Sequence, residues 1–259
     1  MTENSTPSDF MQAETIAVAP LSVTDKFIGI ITEPAAVFDN IKQAGHRTSD
    51  WIIPLLVMTI IVAIGTYIKM SSPSMKEQMR QQTEERFDKM VAEGKMTPEQ
   101  RDQGIEQMEK FGGLTAVFSV IGVLIFVPVV VFFIASIYWS VIKFGFKSTV
   151  TYGLLLSAYG LPLYFGAIDQ LLTTLISLVT KNMFTSISPA IFMKPDIQSS
   201  TFKLMSAINP FTIWAMYVTG IGFSKVADIS KEKAFGLVFG LWIAWTLLSA
   251  FIKLPFGAM

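Results

Sequence analysis

A carboxylate inside an apolar run, two methionines one helical turn apart and a single histidine are the residues with chemistry to offer. Asp169 lies within Thr151 to Val179, and an ionised side chain in lipid is costly and by default functional. Gly160, Pro162 and Gly166 crowd the run ahead of it, so a bent or broken helix is expected. That pattern predicts a span ending near Gly166, with Asp169 opening a second helix at the membrane surface. Met75 and Met79 could offer soft thioethers to Cu(I). No His or Cys stands beside them, and methionine equally fills the apolar face of an amphipathic helix. His46 has no His or Cys partner and reads as an interfacial residue. With no cysteine in the chain, disulfides, thiolate catalysis and Cys-based metal sites are removed. There is no Gly-rich phosphate loop, no His/Glu metal motif and no Ser/His/Asp set. Neither an enzyme nor a cofactor is expected.

The elements that must position these residues follow from where charge is missing. The 259 residues hold 20 basic and 20 acidic side chains, and only 15% are charged, against about 25% in ordinary soluble domains. The deficit lies in long runs that could not give a soluble helix its polar face. Trp51 to Ile68 is 18 uncharged residues, about 27 Å as a helix and close to the thickness of a hydrocarbon core. Leu114 to Ile142 is longer, with Pro128 positioned to kink it, and a Lys143–Lys147 turn follows. A polar loop from Lys181 to Ser200 contains Pro189 and Pro195.

Asn209 to Lys225 should be a short, sharply started helix, since Asn209 is a good N-cap and Pro210 a good first residue. Gly220-x-Gly222 reads as a turn signal at its other end, and Thr201 to Ile208 as a shallow helix before it. Ala234 to Ile252 is the last span. Its Gly236-x-x-x-Gly240 spacing would let a helix approach closely, from this chain or a second copy.

Between the first two spans, Ser71 to Gly113 is densely charged and cannot lie in lipid. Met75, Met79, Phe87, Met90 and Val91 recur at near-helical spacing, and Gly94 ends that helix. Thr97-Pro98-Glu99-Gln100 then starts a second one, expected to end at Gly112-Gly113. Ahead of the first span, Ser22 and Asp25 resemble a capping box for a helix with Val23, Phe27, Ile30 and Ile31 on one side. Pro34 restarts the chain with Val37, Phe38 and Ile41. These two helices could lie at the membrane interface or pack on the rest of the protein.

The expected architecture is an all-α, polytopic membrane helix bundle. It has five transmembrane helices and a water-exposed helical hairpin between the first two. Residues 1–20 read as a disordered tail without a secretory signal, 21–49 as interfacial amphipathic helices, and 50–259 as the membrane domain with 71–113 inserted. Asn209, Pro210 and Pro162 define the spans. Lysines and arginines of the short segments favour an inside N-terminus, although counting the insert reverses that balance.

The motifs Asn209-Pro-Phe-Thr-Ile-Trp214, Ile221-Gly-Phe-Ser-Lys225 and Ser230-Lys-Glu-Lys-Ala234 resemble the last two spans of bacterial Yip-domain proteins. These are relatives of eukaryotic membrane proteins that interact with Rab GTPases. Ser157-Ala-Tyr-Gly-Leu-Pro162 is similar to the family's third span, and Thr32-Glu-Pro34 with Phe38 and Ile41 to its pre-membrane segment. Asp50 and Pro54 keep the spacing of the eukaryotic Asp-Leu-x-Gly-Pro signature, with Ile53 in place of the glycine. The resemblance implies five spans, a cytoplasmic N-terminus and an external C-terminus in a bacterial inner membrane. A non-enzymatic membrane-organising scaffold is the function it suggests, and a small-solute or ion transporter or channel is the alternative. The partners expected are the lipid bilayer, a protein bound through 71–113 and a second copy of the chain, but no nucleic acid.

Overall fold

A computed structural model describes residues 18–196 and 198–251. The expected tail therefore lies almost wholly outside the described residues. Among those described the chain is helical, with no strand.

Two short helices open it. α1 (Val23–Thr32) starts on the Ser22/Asp25 capping box, and α2 (Pro34–Ala44) starts on Pro34. α3 (Ser49–Ser71) follows, then α4 (Pro73–Ala92) and α5 (Pro98–Ser140). The Thr97/Gln100 capping box starts α5 as expected. Its course does not follow expectation, because α5 passes through Gly112 and Gly113 without a break and continues through Pro128. A glycine within a helix costs only about 1 kcal/mol. The long apolar run that follows, which must be helical to satisfy its backbone in lipid, outweighs that cost. A π-helical turn, Val141–Gly145, and Lys147 in a left-handed conformation then reverse the chain.

α6 (Tyr152–Gly160) and α7 (Leu163–Thr180) are separated at Leu161-Pro162, so the broken span is observed. The break is at the proline and not at Gly166, and α7 carries Asp169 within it. Gly166 serves close packing instead, since a Cβ there would lie 2.8 Å from Met58 Sδ on α3. A 3₁₀ turn, Pro189–Phe192, precedes α8 (Ser200–Ala207), α9 (Pro210–Ala227) and α10 (Lys231–Phe251).

Among the described residues, four segments are long and apolar enough to cross a membrane: Ser49–Ser71, Leu114–Gly145, Tyr152–Thr180 and Lys231–Phe251. The α8–α9 pair, bent by 56°, would make a fifth if it counts as one span. α3 packs against α5, α6 and α7, while α9 joins α10 to α2, α6 and α7. The described core is concentrated at the end where α1 and α2 cap the bundle. There Ile30, Phe38 and Ile41 meet Ile142, Leu155, Val218 and Phe223.

Candidate functional site

Lys26 should be an outlier on α1, because its neighbour one turn on, Ile30, is fully buried. Both face inward together. The Lys26 Nζ lies 2.5 Å from Asp50 Oδ1 at the start of α3, with side-chain exposures of 3% and 1%. The second carboxylate oxygen of Asp50 accepts the backbone N–H of Arg47 at 2.9 Å. Asp50 also sits in the first turn of α3, where the helix dipole favours negative charge. A buried carboxylate is tolerable only when satisfied in this way.

Two further ion pairs tie α2 to the end of α9. Asp39 meets Lys225 at 2.6 Å, and Lys42 meets Asp228, which caps α9 in a left-handed conformation. The charges run acid–base along α2 and base–acid along α9, three residues apart on each. A shift of register would oppose like charges. Partly exposed pairs contribute at most about 1 kcal/mol each, so their main contribution is orientation.

Shape reinforces charge. A Cβ on Gly222 would lie 3.0 Å from Phe38 of α2 and 3.2 Å from Ala158 of α6, and one on Gly220 would lie 2.8 Å from Phe235 of α10. The expected turn signal Gly220-x-Gly222 is therefore not a turn. α9 runs through it to Ala227, and the two glycines let three elements approach. Gly29 packs on Val37, closing α1 onto α2, and Phe27 meets Tyr164 edge-on at 5.0 Å. His46 lies against Gly153 at the start of α6.

The other predicted polar position lies on α7. Asn209 Nδ2 donates to Asp169 Oδ1 at 2.9 Å, while Asn209 Oδ1 accepts from the N–H groups of Phe211 and Thr212. One side chain thus caps α9 and holds the carboxylate at its positive end. Asp169 does not begin a helix, since α7 starts at Leu163 and runs through it. It is half-buried within α7, and its carboxylate is near enough to Lys69 of α3 for the ammonium to feel its charge. Further along α7, Thr174 and Gln170 crowd Gly65, and the buried Ser177 hydroxyl has no hydrogen-bond partner among the described residues.

Gly236 and Gly240 are exposed, with no atom of another helix within 4 Å of the place a Cβ would take. α10 instead packs on α9 through Ala234, Phe235 and Val238. Of the two partners expected for these glycines, a helix of this chain does not occupy the face among the described residues. Met75 is fully buried, in keeping with a packing role. Among the described residues no group of three or more His, Cys, Asp or Glu side chains could hold a metal ion.

Sequence reasoning missed the Lys26–Asp50 pair. The available signal was a lysine one turn before Ile30 on an otherwise apolar stripe, with Asp50 noted only for its spacing from Pro54. The family model described as the Yip1 domain matches residues 28–252. No curated protein and no solved structure matches the chain.

Proposed function

The chain belongs to the Yip family, and from that premise we propose that it is a non-enzymatic scaffold that organises the membrane around it. The observation that carries this reading is the buried Lys26–Asp50 pair, which fixes α1–α2 as a rigid plate at one end of an integral membrane bundle. Val23, Ile28 and Ile31 remain exposed on that plate. An amphipathic surface held rigidly at the interface displaces headgroups on one leaflet only, and asymmetric insertion of that kind favours curvature. The test is reconstitution at increasing protein-to-lipid ratio, with vesicle diameters measured by electron microscopy. Wild-type protein should narrow the distribution toward smaller vesicles, and the triple replacement Val23→Ser/Ile28→Ser/Ile31→Ser should abolish the effect. Identical diameters for both proteins would overturn the reading.

In this proposal the chain makes five crossings of a bacterial inner membrane, α8–α9 forming the fourth. The N-terminus is cytoplasmic and the C-terminus external. α4 lies at the end opposite α1–α2, where Gln78 exchanges hydrogen bonds with Lys181 and Met183 of the α7–α8 loop. The 71–113 segment would then recruit a protein partner on the external side, and the open Gly236/Gly240 face of α10 would receive a second copy. Impermeant thiol labelling of single cysteines at Lys42 and Lys95 reads the orientation directly. Transport of a small solute or ion is the second reading, and it rests on Asp169 within α7. Unchanged flux in proteoliposomes on Asp169→Asn would remove it.

A further inference from the structure

Phe192 and Val179, 91% and 84% exposed, are the most exposed large hydrophobic side chains among the described residues. Both lie at the α4 end of the bundle, on the opposite side from α1–α2. Phe192 closes the 3₁₀ turn Pro189–Phe192, which is firmly built. Ser188 accepts the N–H of Ala190, Ala190 accepts that of Met193, and Ser188 and Ala190 are themselves buried. The turn therefore holds Ile191 and Phe192 outward on a fixed mount.

Behind the turn lies an open groove of about 430 Å³, lined by Ile176 of α7, by Ile187, Pro189 and Ile191, and by Pro210 and Ile213 of α9. Its lining is almost wholly apolar. Two of its walls, Ile176 and Ile213, stand on helices of the candidate spans. The groove thus continues the exposed apolar surface formed by Leu172, Leu175 and Val179 of α7, a helix of a candidate span. Exposed Lys181 and Lys194 bracket the turn, as basic side chains do where their stems follow acyl chains and their heads reach phosphates.

We propose that the Pro189–Phe192 turn is a second membrane anchor. On this reading Phe192 inserts among the acyl chains of the leaflet on the α4 side, and a phospholipid chain occupies the groove behind it. The occupant is lipid and not protein because the patch is continuous with the exposed apolar face of a candidate span and is flanked in sequence by lysines. An apolar patch this exposed would otherwise be an association liability in water. The two ends of the bundle would then each carry an interfacial device, α1–α2 on one leaflet and this turn on the other. The proposal rests on the integral membrane assignment and not on the scaffold role.

Because the chain has no cysteine, the test is direct. Phe192→Cys in the full-length protein is labelled with an environment-sensitive nitrobenzoxadiazole fluorophore and reconstituted in phosphatidylcholine/phosphatidylglycerol vesicles. Lys95→Cys at the α4–α5 connection provides the aqueous reference, and Val129→Cys on α5 the lipid reference. The label at 192 should emit to the blue of the one at 95. It should be quenched by nitroxide-bearing lipids and shielded from iodide, as at 129. Iodide quenching equal to that at position 95 would overturn the proposal. So would protection from both quenchers, which would mean that protein covers the turn. Ile191→Cys, read in the same way, keeps the result decisive if the label at 192 disturbs the turn.

Discussion

Lys26 and Asp50 face each other across the α1–α3 junction at 2.5 Å, both side chains almost wholly removed from solvent. Among the described residues each is the other's only ion-pair partner, so their stability effects are coupled. Lys26→Met alone leaves a buried carboxylate, and Asp50→Asn alone a buried ammonium; either should cost about 3–5 kcal/mol. Lys26→Met/Asp50→Asn together should cost clearly less than the sum, because the loss of one charge removes the penalty on the other. Chemical denaturation in detergent, followed by circular dichroism, measures the cycle. Additive losses would show that the two are not a pair.

Glycine substitutions should separate contact from openness. Gly222→Val drives a side chain into Phe38 and Ala158 and should destabilise by about 1–3 kcal/mol through overpacking. Protease sensitivity within α2 should rise with it. A Cβ at Gly240 would have open space around it among the described residues, so Gly240→Val should leave thermal unfolding of the monomer nearly unchanged. Loss of intermolecular crosslinking on Gly240→Val would place a second copy on that face.

Asn209 serves two masters, and its variants should show both. Asn209→Ala removes the cap of α9 and should cost about 0.5–2 kcal/mol. Asn209→Asp keeps a capping oxygen but sets a second carboxylate against Asp169. Like charges at that distance cannot both ionise comfortably. Its thermal stability relative to wild type should therefore improve as the pH is lowered and one carboxylate is protonated. A pH-independent difference between the two proteins would count against the Asp169 contact.

The α4 helix carries a titratable brace. Hydrogen bonds from Arg80, and secondarily from Gln81, hold the Glu77 carboxyl below its ordinary value of 4.5. A depressed carboxylate contributes stability that is fully present above its unfolded value and disappears as pH falls through the folded one. Helicity of 71–113 should then decline below about pH 4.5, and Arg80→Ala should remove that part of the pH dependence. Because Glu77 is exposed to solvent the effect is small. Nuclear magnetic resonance titration of the Glu77 side chain reads it better than global unfolding.

How much of this was legible depends on sequence distance. The capping boxes at Ser22/Asp25 and Thr97/Gln100, the first-turn proline Pro34 and the Asn209/Pro210 start are signals confined to within three residues, and each starts its helix where the sequence says it should. The ion pairs Asp39–Lys225 and Lys42–Asp228 span 186 residues, and no local pattern encodes such partners. Glycine was the least readable residue. At Gly112, Gly166 and Gly222 it looked like punctuation, but the first is simply tolerated and the other two admit a neighbouring side chain. Asp169 was misplaced for the same reason. Once Pro162 supplies the break, nothing stops α7 before Thr180, and the carboxylate is carried into the bundle to meet Asn209.

The unbroken course of α5 has a mechanical consequence. Its 43 residues form a rod about 65 Å long, and the part from Leu114 to Ser140 lies in the candidate span Leu114–Gly145. Everything from Pro98 to Gly113 is then a stiff lever fixed to that span, with no joint at the membrane surface. A tilt of about 10° around mid-span swings the Pro98 end sideways by roughly 8 Å, from the helical rise of each residue. Arg101 is paired with Asp88 of α4, so both helices travel together. Changes in bilayer thickness that alter the tilt of α5 are thereby amplified into displacement of the charged tip.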